Sequence, residues 1–405
     1  MKRRTLMRPP QTSVDEANTD DSKTPKKTAA GVHAKKGKPV EEKTRRCRIL
    51  IKVLQVVFLI IIVPPLLNYA SLQKEGTELK PVPGELYDVG WGQKIFKMCQ
   101  GKGPPTVIFD APGGQTSDVW TLIWPHVAKN ARICIYDRAG LGFSERPLMN
   151  LTEQDGEDSK SNYRNRWQPF TVERMADDLN HLLTVSSQEP QPFIYVGAEL
   201  GALVAQFYSQ MFDSQMLGMV LINPLSDNLF EQDGGAWHQY WYGQLVPTFQ
   251  SLQLGAALGL TRLALLLGFL HQPLFDSELP ENVKYRQKHL LCHPKHLSSV
   301  VDEHHFINES FSQLRTMRMI KSLPSNISVT IISGNYYDEQ MPSYLNKAWA
   351  KSEQILLTKH YPNSKHIVIN SADRHMLYNS PSSVTEPINR IVRQWKSKIK
   401  VDKKI

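Results

Sequence analysis

Short apolar runs alternate with amphipathic stretches through most of this chain. The apolar runs predict strands at Gln93–Cys99, Thr106–Asp110, Ala131–Asp137, Pro192–Val196, Gly218–Ile222, Ser328–Ser333 and His366–Asn370. Apolar positions at helical spacing predict helices at Asp118–Lys129, Thr171–Leu183, Leu200–Met211 and Val384–Lys398. Apolar strands that alternate with helices are typical of a parallel sheet covered on both faces. The pattern therefore predicts one α/β domain over residues 84–398.

Two segments interrupt this alternation. Residues 146–168 are polar and are predicted to form a surface insertion. Residues 223–318 are too long for a simple crossover and include a leucine-rich run, Leu252–Leu270. A second membrane span in that run is disfavoured, because Arg262 lies in its middle and a charge at mid-bilayer costs about 2.5–3.5 kcal/mol. We therefore predict a helical cap over residues 223–318.

An uncharged apolar segment precedes the α/β domain. Residues 53–73 carry no charge, and about 20 mostly apolar residues are enough to span a bilayer. We predict a transmembrane signal anchor over residues 49–73, with Pro64 and Pro65 expected to kink or end its helix. The polar residues 1–48 before it are predicted to be a disordered basic tail, because they hold too few apolar groups to fold.

The positive charge of the chain lies in this tail. Residues 1–52 hold 15 Lys/Arg and 6 Asp/Glu, whereas the remainder holds 33 of each sign. Such a step places the N-terminus in the cytosol and the α/β domain in the lumen or outside the cell. We therefore expect a single-pass membrane protein of the secretory pathway, in the endoplasmic reticulum, the Golgi or the plasma membrane. A nucleic-acid partner is not expected, because the folded part is not basic.

Sequons and cysteines add little to this picture. Cys99 and Cys134 lie in apolar strands and are expected to be buried thiols, although a disulfide from Cys292 to either stays open. The expected lumenal part holds three N-glycosylation sequons, at Asn150, Asn308 and Asn326.

Several motifs together resemble the α/β-hydrolase superfamily. They are Thr106–Gly114 (TVIFDAPGG), Trp120, Tyr136–Ser144 (YDRAGLGFS), Tyr195–Ala202 (YVGAELGA), Gly218–Pro224 (GMVLINP) and the segment Ser371–Pro381 around His375. The resemblance implies an α/β-hydrolase fold, with a mostly parallel central sheet covered by helices and a helical cap, preceded here by one transmembrane helix. No cofactor is implied.

The resemblance also implies a set of site residues. In the family a Gly-x-Ser-x-Gly turn carries the nucleophile, and here Glu199 takes the place of that serine. His375 matches the catalytic histidine, and Asp338 matches the acid that orients it, with Asp227 as the alternative. The amides of Gly114 and Leu200 match the oxyanion hole.

The missing serine leaves several functions open. We expect a protein that is inactive as a serine hydrolase and binds a lipid-like ligand or a protein. The alternative is an active ester, lipid or epoxide hydrolase that uses Glu199 as nucleophile, or as acid/base with His375. Glu199 and His375 are expected within salt-bridge reach, and Glu199→Ser is expected to gain esterase activity.

A metal site is not expected. The spacing of His293 and His296, and of His304 and His305, matches no established zinc pattern.

Overall fold

The computed structural model describes residues 40–402, except 91, 148–169, 187–190, 271–278, 325, 336–337, 339–340 and 371. The chain divides into two units, Met1–Val56 and Val57–Ile405. The polar insertion predicted over 146–168 lies almost wholly outside the described residues.

The first helix, α1, covers Val40–Glu78. Within the described part of the chain, its segment Arg45–Glu78 is the one helix long and apolar enough to cross a membrane, by length and composition alone. Residues 1–39 of the predicted tail 1–48 lie outside the described residues, and the helix begins at Val40, within that predicted tail.

Pro64 and Pro65 do not end α1. A proline inside a helix removes one backbone hydrogen bond, and the turns on either side retain theirs. The segment after the prolines is also fixed by tertiary contacts, since Asn68 is buried and its side-chain amide donates to the backbone carbonyl groups of Ala256 and Cys292.

The strands of the described residues form one sheet in the order β1-β2-β4-β3-β5-β6-β7-β8. Strands β1 and β2 are antiparallel to their neighbours, and β3 to β8 are parallel. The strands are β1 Glu85–Asp88, β2 Lys94–Gln100, β3 Thr106–Asp110, β4 Arg132–Tyr136, β5 Phe193–Ala198, β6 Met216–Ile222, β7 Ser328–Gly334 and β8 Lys365–Ile369. All were predicted within two residues at either end except β1, whose polar sequence lacks an apolar run.

The helices that follow α1 lie on both faces of the sheet or in the cap. They are α2 Trp124–Ala128, α3 Val172–Ser186, α4 Leu200–Met211, α5 Ala236–Tyr240, α6 Val246–Ala257, α7 Leu260–Leu266, α8 Glu281–Leu291, α9 Pro294–His305, α10 Ile307–Ile320, α11 Ser343–Ile355, α12 Met376–Asn379 and α13 Pro381–Asp402. The predicted helix Asp118–Lys129 is instead a 3₁₀ turn, Ser117–Trp120, followed by α2.

The core has two layers, one on each face of the sheet. Alternate residues of β5 separate into them, with Phe193 and Tyr195 in one layer and Ile194 and Val196 in the other. This alternation follows from the period of two in a strand. Helices α3 and α4 contribute to the first layer, and α2 and α13 to the second.

Cys99 on β2 and Cys134 on β4 form a disulfide. They are directly opposite each other in the antiparallel ladder, with Cα atoms 4.1 Å apart. The expectation of two unpaired thiols was therefore wrong, because strand order cannot be read from the spacing of two cysteines. Cys292 is buried and unpaired.

The leucine-rich run of the cap forms two short helices, α6 and α7, and no single helix of membrane-spanning length. Gly259 separates them, with a φ of 71° in the left-handed region that favours glycine.

Candidate active site

The turn between β5 and α4 places Glu199 at the carboxyl edge of the sheet. Glu199 has φ 47° and ψ −105°, a conformation that is strained for a residue other than glycine. The flanking glycines allow this turn to be tight. A Cβ atom at Gly197 would lie 2.3 Å from the carbonyl oxygen of Gly201, and one at Gly201 would lie 2.6 Å from that of Asp110.

Arg374 is the cation beside Glu199. Its Nη2 atom lies 3.4 Å from Oε1 of Glu199. The guanidinium also lies over the rings of Trp349 and Trp237, at 5.0 and 5.5 Å from their centroids. Aromatic faces attract cations, so the two tryptophans hold Arg374 in place next to the carboxylate.

Within the described residues, no hydrogen bond or ion pair joins His375 to Glu199, so the expected salt bridge does not form. Its Nδ1 atom lies 3.6 Å from Oδ2 of Asp373, and its side chain is 48% exposed. The backbone N–H of His375 donates to Oδ1 of Asp373 at 2.8 Å, which fixes the local turn. Arg374 lies between Asp373 and His375 in sequence, and it is the residue of this segment that pairs with Glu199. Hydrogen bonds between a guanidinium and a carboxylate are strong because both groups are charged.

Neither predicted acid is hydrogen-bonded to His375 among the residues that the structure describes. Asp227 is buried in an ion pair with Arg318, whose Nη2 also donates to Gln206 at 2.6 Å. Asp338 follows β7 and is buried, and its backbone carbonyl accepts from the amide of Met341 at 3.1 Å. The residues predicted as a triad are therefore not assembled as one.

A glutamate from the cap occupies one of the two predicted oxyanion amides. The backbone N–H of Gly114 donates to Oε2 of Glu303, on α9, at 2.7 Å. Leu200, the other predicted position, is buried in the first turn of α4. A carboxylate that accepts from Gly114 fills the position where the oxygen of a substrate would otherwise accept.

Glu303 belongs to a buried charge network. Arg138 Nε donates to Oε1 of Glu303 at 2.7 Å, and its Nη1 donates to Oδ1 of Asp110 at 2.5 Å. All three side chains are at most 3% exposed. Burial lowers the pKa of Arg138, but the charges of Glu303 and Asp110 more than offset this and hold it above its usual value.

The network continues into the sheet. The hydroxyl group of Tyr195 donates to Oδ2 of Asp110 at 2.8 Å. Burial first, and then the charge of Asp110, raises the pKa of Tyr195 well above its usual value. Both carboxylate oxygens of Asp110 are thereby hydrogen-bonded, as a buried carboxylate requires.

Two cavities of very different size adjoin these residues. The space beside Glu199 is about 10 Å³ and is closed by Trp241, Glu303 and His304. Even one water molecule needs about 10–15 Å³. The other cavity is about 710 Å³, and His375 and Asp373 lie in its wall.

Both polar and apolar residues line the large cavity. Asp118, His375, Gln115 and Tyr378 contribute carboxyl, imidazole, amide and phenol groups to the lining. The cap contributes the polar residues Gln287 and His296 and a larger apolar set, Phe249, Leu252, Leu290, Leu291, Leu297 and Val300. Ligand cavities are commonly about 300–1,000 Å³, so this one has room for a small amphipathic molecule.

Three histidines of the cap are neutral parts of its packing. His304 Nδ1 hydrogen-bonds to the carbonyl group of Val300 at 2.7 Å, and burial lowers its pKa. His296 accepts from the amide of Gly142 at 3.1 Å, and burial lowers its pKa to about 3. His293 caps α9 by accepting from the amide of His296, and burial lowers its pKa to about 4.

The described part of the chain contains no group of three or more His, Cys, Asp or Glu side chains that could hold a metal ion.

Sequence reasoning missed Arg374, Asp373 and Glu303. Arg374 and Asp373 directly precede His375, so the motif around His375 already contained both charged residues. Glu303 lies on the buried side of α9, next to His304, where an acidic residue among apolar positions needs a cationic partner.

The sequons differ in their surroundings. Asn326 is exposed in the turn before β7. Asn308 is exposed on α10, but Ser310 of the same sequon is buried, and its hydroxyl oxygen accepts from the amide of Val172. Asn150 lies outside the described residues.

The chain belongs to the α/β-hydrolase fold family, whose sequence model matches residues 105–369. Solved structures with this fold include a laboratory-evolved variant of potato epoxide hydrolase, with a TM-score of 0.56, 13% identity, and 77% of this chain and 99% of that chain covered. Another is an epoxide hydrolase from Vigna radiata, with a TM-score of 0.52 and 16% identity. The match covers 78% of this chain and 97% of that chain. At such identities the likeness shows the fold alone.

A curated relative is a membrane protein of yeast. An uncharacterized vacuolar membrane protein of Saccharomyces cerevisiae is 26% identical over 127 residues. The match covers 30% of this chain and only 17% of the yeast protein.

Proposed function

We propose that this protein is a single-pass membrane protein whose α/β-hydrolase domain is inactive as a serine hydrolase and binds a lipid-like ligand in the 710 Å³ cavity. Glu199 stands at the nucleophile position of the family, where a serine would be needed for acyl transfer. The observation that carries the proposal is the hydrogen bond from the Gly114 amide to Glu303, because it leaves that amide without room for a substrate oxygen.

The contacts of Glu199 favour a binding protein over the alternative of a carboxylate nucleophile. A nucleophile needs space for the reacting atom of its substrate, and the space beside Glu199 is about 10 Å³. The carboxylate is also paired with Arg374, which reduces its nucleophilicity. Acid/base chemistry with His375 would need the two groups in contact, and His375 lies beside Asp373.

The large cavity supports a lipid-like ligand in preference to a protein partner. Its apolar residues accommodate an alkyl chain, and its polar residues offer hydrogen bonds to a head group.

Topology is the second part of the proposal. The charge step across residues 49–73 supports a cytosolic N-terminus and a secretory-pathway location for the remainder. The disulfide between Cys99 and Cys134 supports the same location, because such bonds persist in oxidising compartments. The membrane location of the yeast relative is consistent with a membrane protein.

A photo-crosslinking experiment tests ligand binding. Full-length protein in nanodiscs is incubated with a diazirine-bearing palmitic acid, irradiated and digested, and the modified residues are mapped by mass spectrometry. We expect labelling in α6 and α9 at cavity residues such as Leu252, and its loss in Leu297→Trp, which fills the cavity. The matched control is Met319→Trp, at an 80% exposed position. Labelling that is absent from the cavity, or equal in both variants, contradicts the proposal.

A further inference from the structure

The outer surface of the cap is unusually apolar for a folded domain. Large side chains on and just after α6 and α7 are between 42% and 82% exposed; they are Leu254, Leu258, Leu260, Leu263, Leu266, Leu267 and Phe269. We call these residues the leucine surface. Contiguous exposed apolar patches of this kind mark a binding surface for a protein or a membrane.

The one charged residue between 246 and 270 is directed away from solvent. Arg262 Nη1 lies 2.6 Å from Oε1 of Glu75, on α1, and its Nε donates to the side chain of Asn68 at 2.8 Å. Its side chain is 11% exposed. The charge of Arg262 is therefore neutralised inside the protein, and the leucine surface itself carries no ionised group.

Helix α1 meets the cap within its own uncharged segment. A Cβ atom at Gly259 would lie 2.4 Å from the carbonyl oxygen of Pro64, so the two backbones are in direct contact. Pro64 precedes the end of the uncharged run at Gln73 by about 14 Å along the helix axis, at 1.5 Å per residue. A bilayer core is about 30 Å thick. If residues 53–73 span it, the contact lies well below the surface of the membrane.

The polar group of α1 at this depth is satisfied by the cap. Asn68 is 3% exposed, and its Nδ2 donates to the carbonyl groups of Ala256 at 2.9 Å and Cys292 at 3.0 Å. A polar side chain within the hydrocarbon region requires such partners, because lipid supplies none. The contact between α1 and the cap therefore has the chemistry of a membrane-embedded interface.

We propose that α6 and α7 insert into the non-cytosolic leaflet beside α1, with the leucine surface in contact with lipid acyl chains. This inference rests on the proposed span of α1. The continuity of the leucine surface with the α1 contact favours bilayer lipid as the occupant, because α1 holds both at one depth. On the other side of α6, Phe249 and Leu252 line the large cavity, so this helix separates lipid from the proposed ligand.

Spin labelling measures the depth of the leucine surface. A nitroxide is attached at Leu263→Cys in full-length protein carrying Cys47→Ser, in phosphatidylcholine nanodiscs. Its collision rates with oxygen, which concentrates in lipid, and with a water-soluble nickel chelate are compared. The matched control is Tyr344→Cys on α11, 50% exposed. The Cys47→Ser protein alone gives the background from Cys292.

We expect the ratio of oxygen to nickel accessibility at Leu263→Cys to exceed that at Tyr344→Cys by at least fivefold. A label at Leu266→Cys repeats the measurement at a second site, in case the first variant does not fold. Equal ratios at the two surfaces overturn the inference. Protection of both leucine-surface labels from oxygen and nickel alike also overturns it, because a protein partner or a second copy would then cover the surface.

A further label separates this inference from the function proposed above. The label at Leu59→Cys lies in α1, at a side chain that is 57% exposed. If the label at Leu59→Cys is accessible to the nickel chelate, the membrane span itself is refuted. If only the labels on the leucine surface are accessible to the nickel chelate, the insertion of the cap is refuted and the membrane span is not. Lipid crosslinking within the large cavity is measured in the separate experiment described above, so its result depends neither on the membrane span nor on the insertion of the cap.

Discussion

Glu303 accepts a hydrogen bond from the backbone N–H of Gly114 at 2.7 Å, and its other oxygen accepts from Nε of Arg138 at 2.7 Å. The Glu303 carboxylate thus occupies the Gly114 N–H, which matches an oxyanion-hole position of the family, and it also neutralises the charge of Arg138. Because Glu303 and Arg138 are buried, this contact fixes α9 against the loops at the edge of the sheet.

Glu303→Gln is expected to destabilise the protein by about 2–4 kcal/mol, since it leaves the buried Arg138 with one carboxylate instead of two. The measurement is the free energy of unfolding in detergent micelles, with denaturant. Glu309→Gln, an exposed position on α10, is the control and is expected to change stability by less than about 0.5 kcal/mol. Equal stability of the two variants would show that the network contributes little.

The pair of Glu199 and Arg374 is expected to be energetically coupled. Arg374→Gln should destabilise wild-type protein more than it destabilises the Glu199→Gln variant, by about 1–2 kcal/mol, because only the former leaves a charged carboxylate unpaired. A double-mutant cycle of unfolding free energies measures this difference. The exposed pair of Lys351 and Asp233 provides the comparison, with an expected coupling below about 1 kcal/mol. If the coupling energy of Glu199 and Arg374 is no larger than that of Lys351 and Asp233, then Arg374 does not neutralise the Glu199 carboxylate.

Acid is expected to destabilise the cap through its buried histidines. Burial lowers the pKa of His293 from 6.5 to about 4, so between these values the unfolded chain binds more protons than the folded chain. Stability is therefore complete above pH 6.5 and falls as the pH decreases, by about 1–2 kcal/mol at pH 5 from this residue.

His293→Asn keeps an acceptor for capping α9 and removes the titrating ring. Its unfolding free energy should decrease less than that of the wild type between pH 7 and pH 5. His305→Asn, at an exposed position, should follow the wild type. A pH dependence unchanged in His293→Asn would contradict the assignment.

Asn326 is expected to carry an N-linked glycan, because it is exposed in a turn and the domain is proposed to be lumenal. Protein made in microsomes should lose mass on glycosidase treatment, and Asn326→Gln should remove that loss in part or whole. Asn308→Gln is expected to have no effect, since Ser310 of its sequon is buried. Unglycosylated protein whose N-terminus is protected from protease would show that the topology is inverted.

The sequence predicted the sheet well because its parallel strands are continuous apolar runs. It missed β1, whose exposed residues such as Glu85 give no such signal. It identified the turn at Glu199 but not the partner of that residue. The direction of the Arg374 side chain depends on Trp237 and Trp349, which are distant in sequence. Glu303 was missed for the same reason, since its partners arise only when the cap packs on the sheet.

The structure also changes one expectation drawn from the sequence. Glu199→Ser was expected to gain esterase activity, with His375 oriented by Asp338 or Asp227. The exposed position of His375 beside Asp373, and the occupation of the Gly114 amide by Glu303, now predict that the variant stays inactive. A serine without a base in reach is not activated.

Hydrolysis by the purified full-length protein tests the central claim most directly. Release of p-nitrophenol from short acyl esters and opening of styrene oxide are measured for wild type, Glu199→Gln and Glu199→Ser. The account predicts that all three rates equal the rate without protein. Turnover by the wild type that Glu199→Gln abolishes would contradict it and establish Glu199 as a catalytic carboxylate.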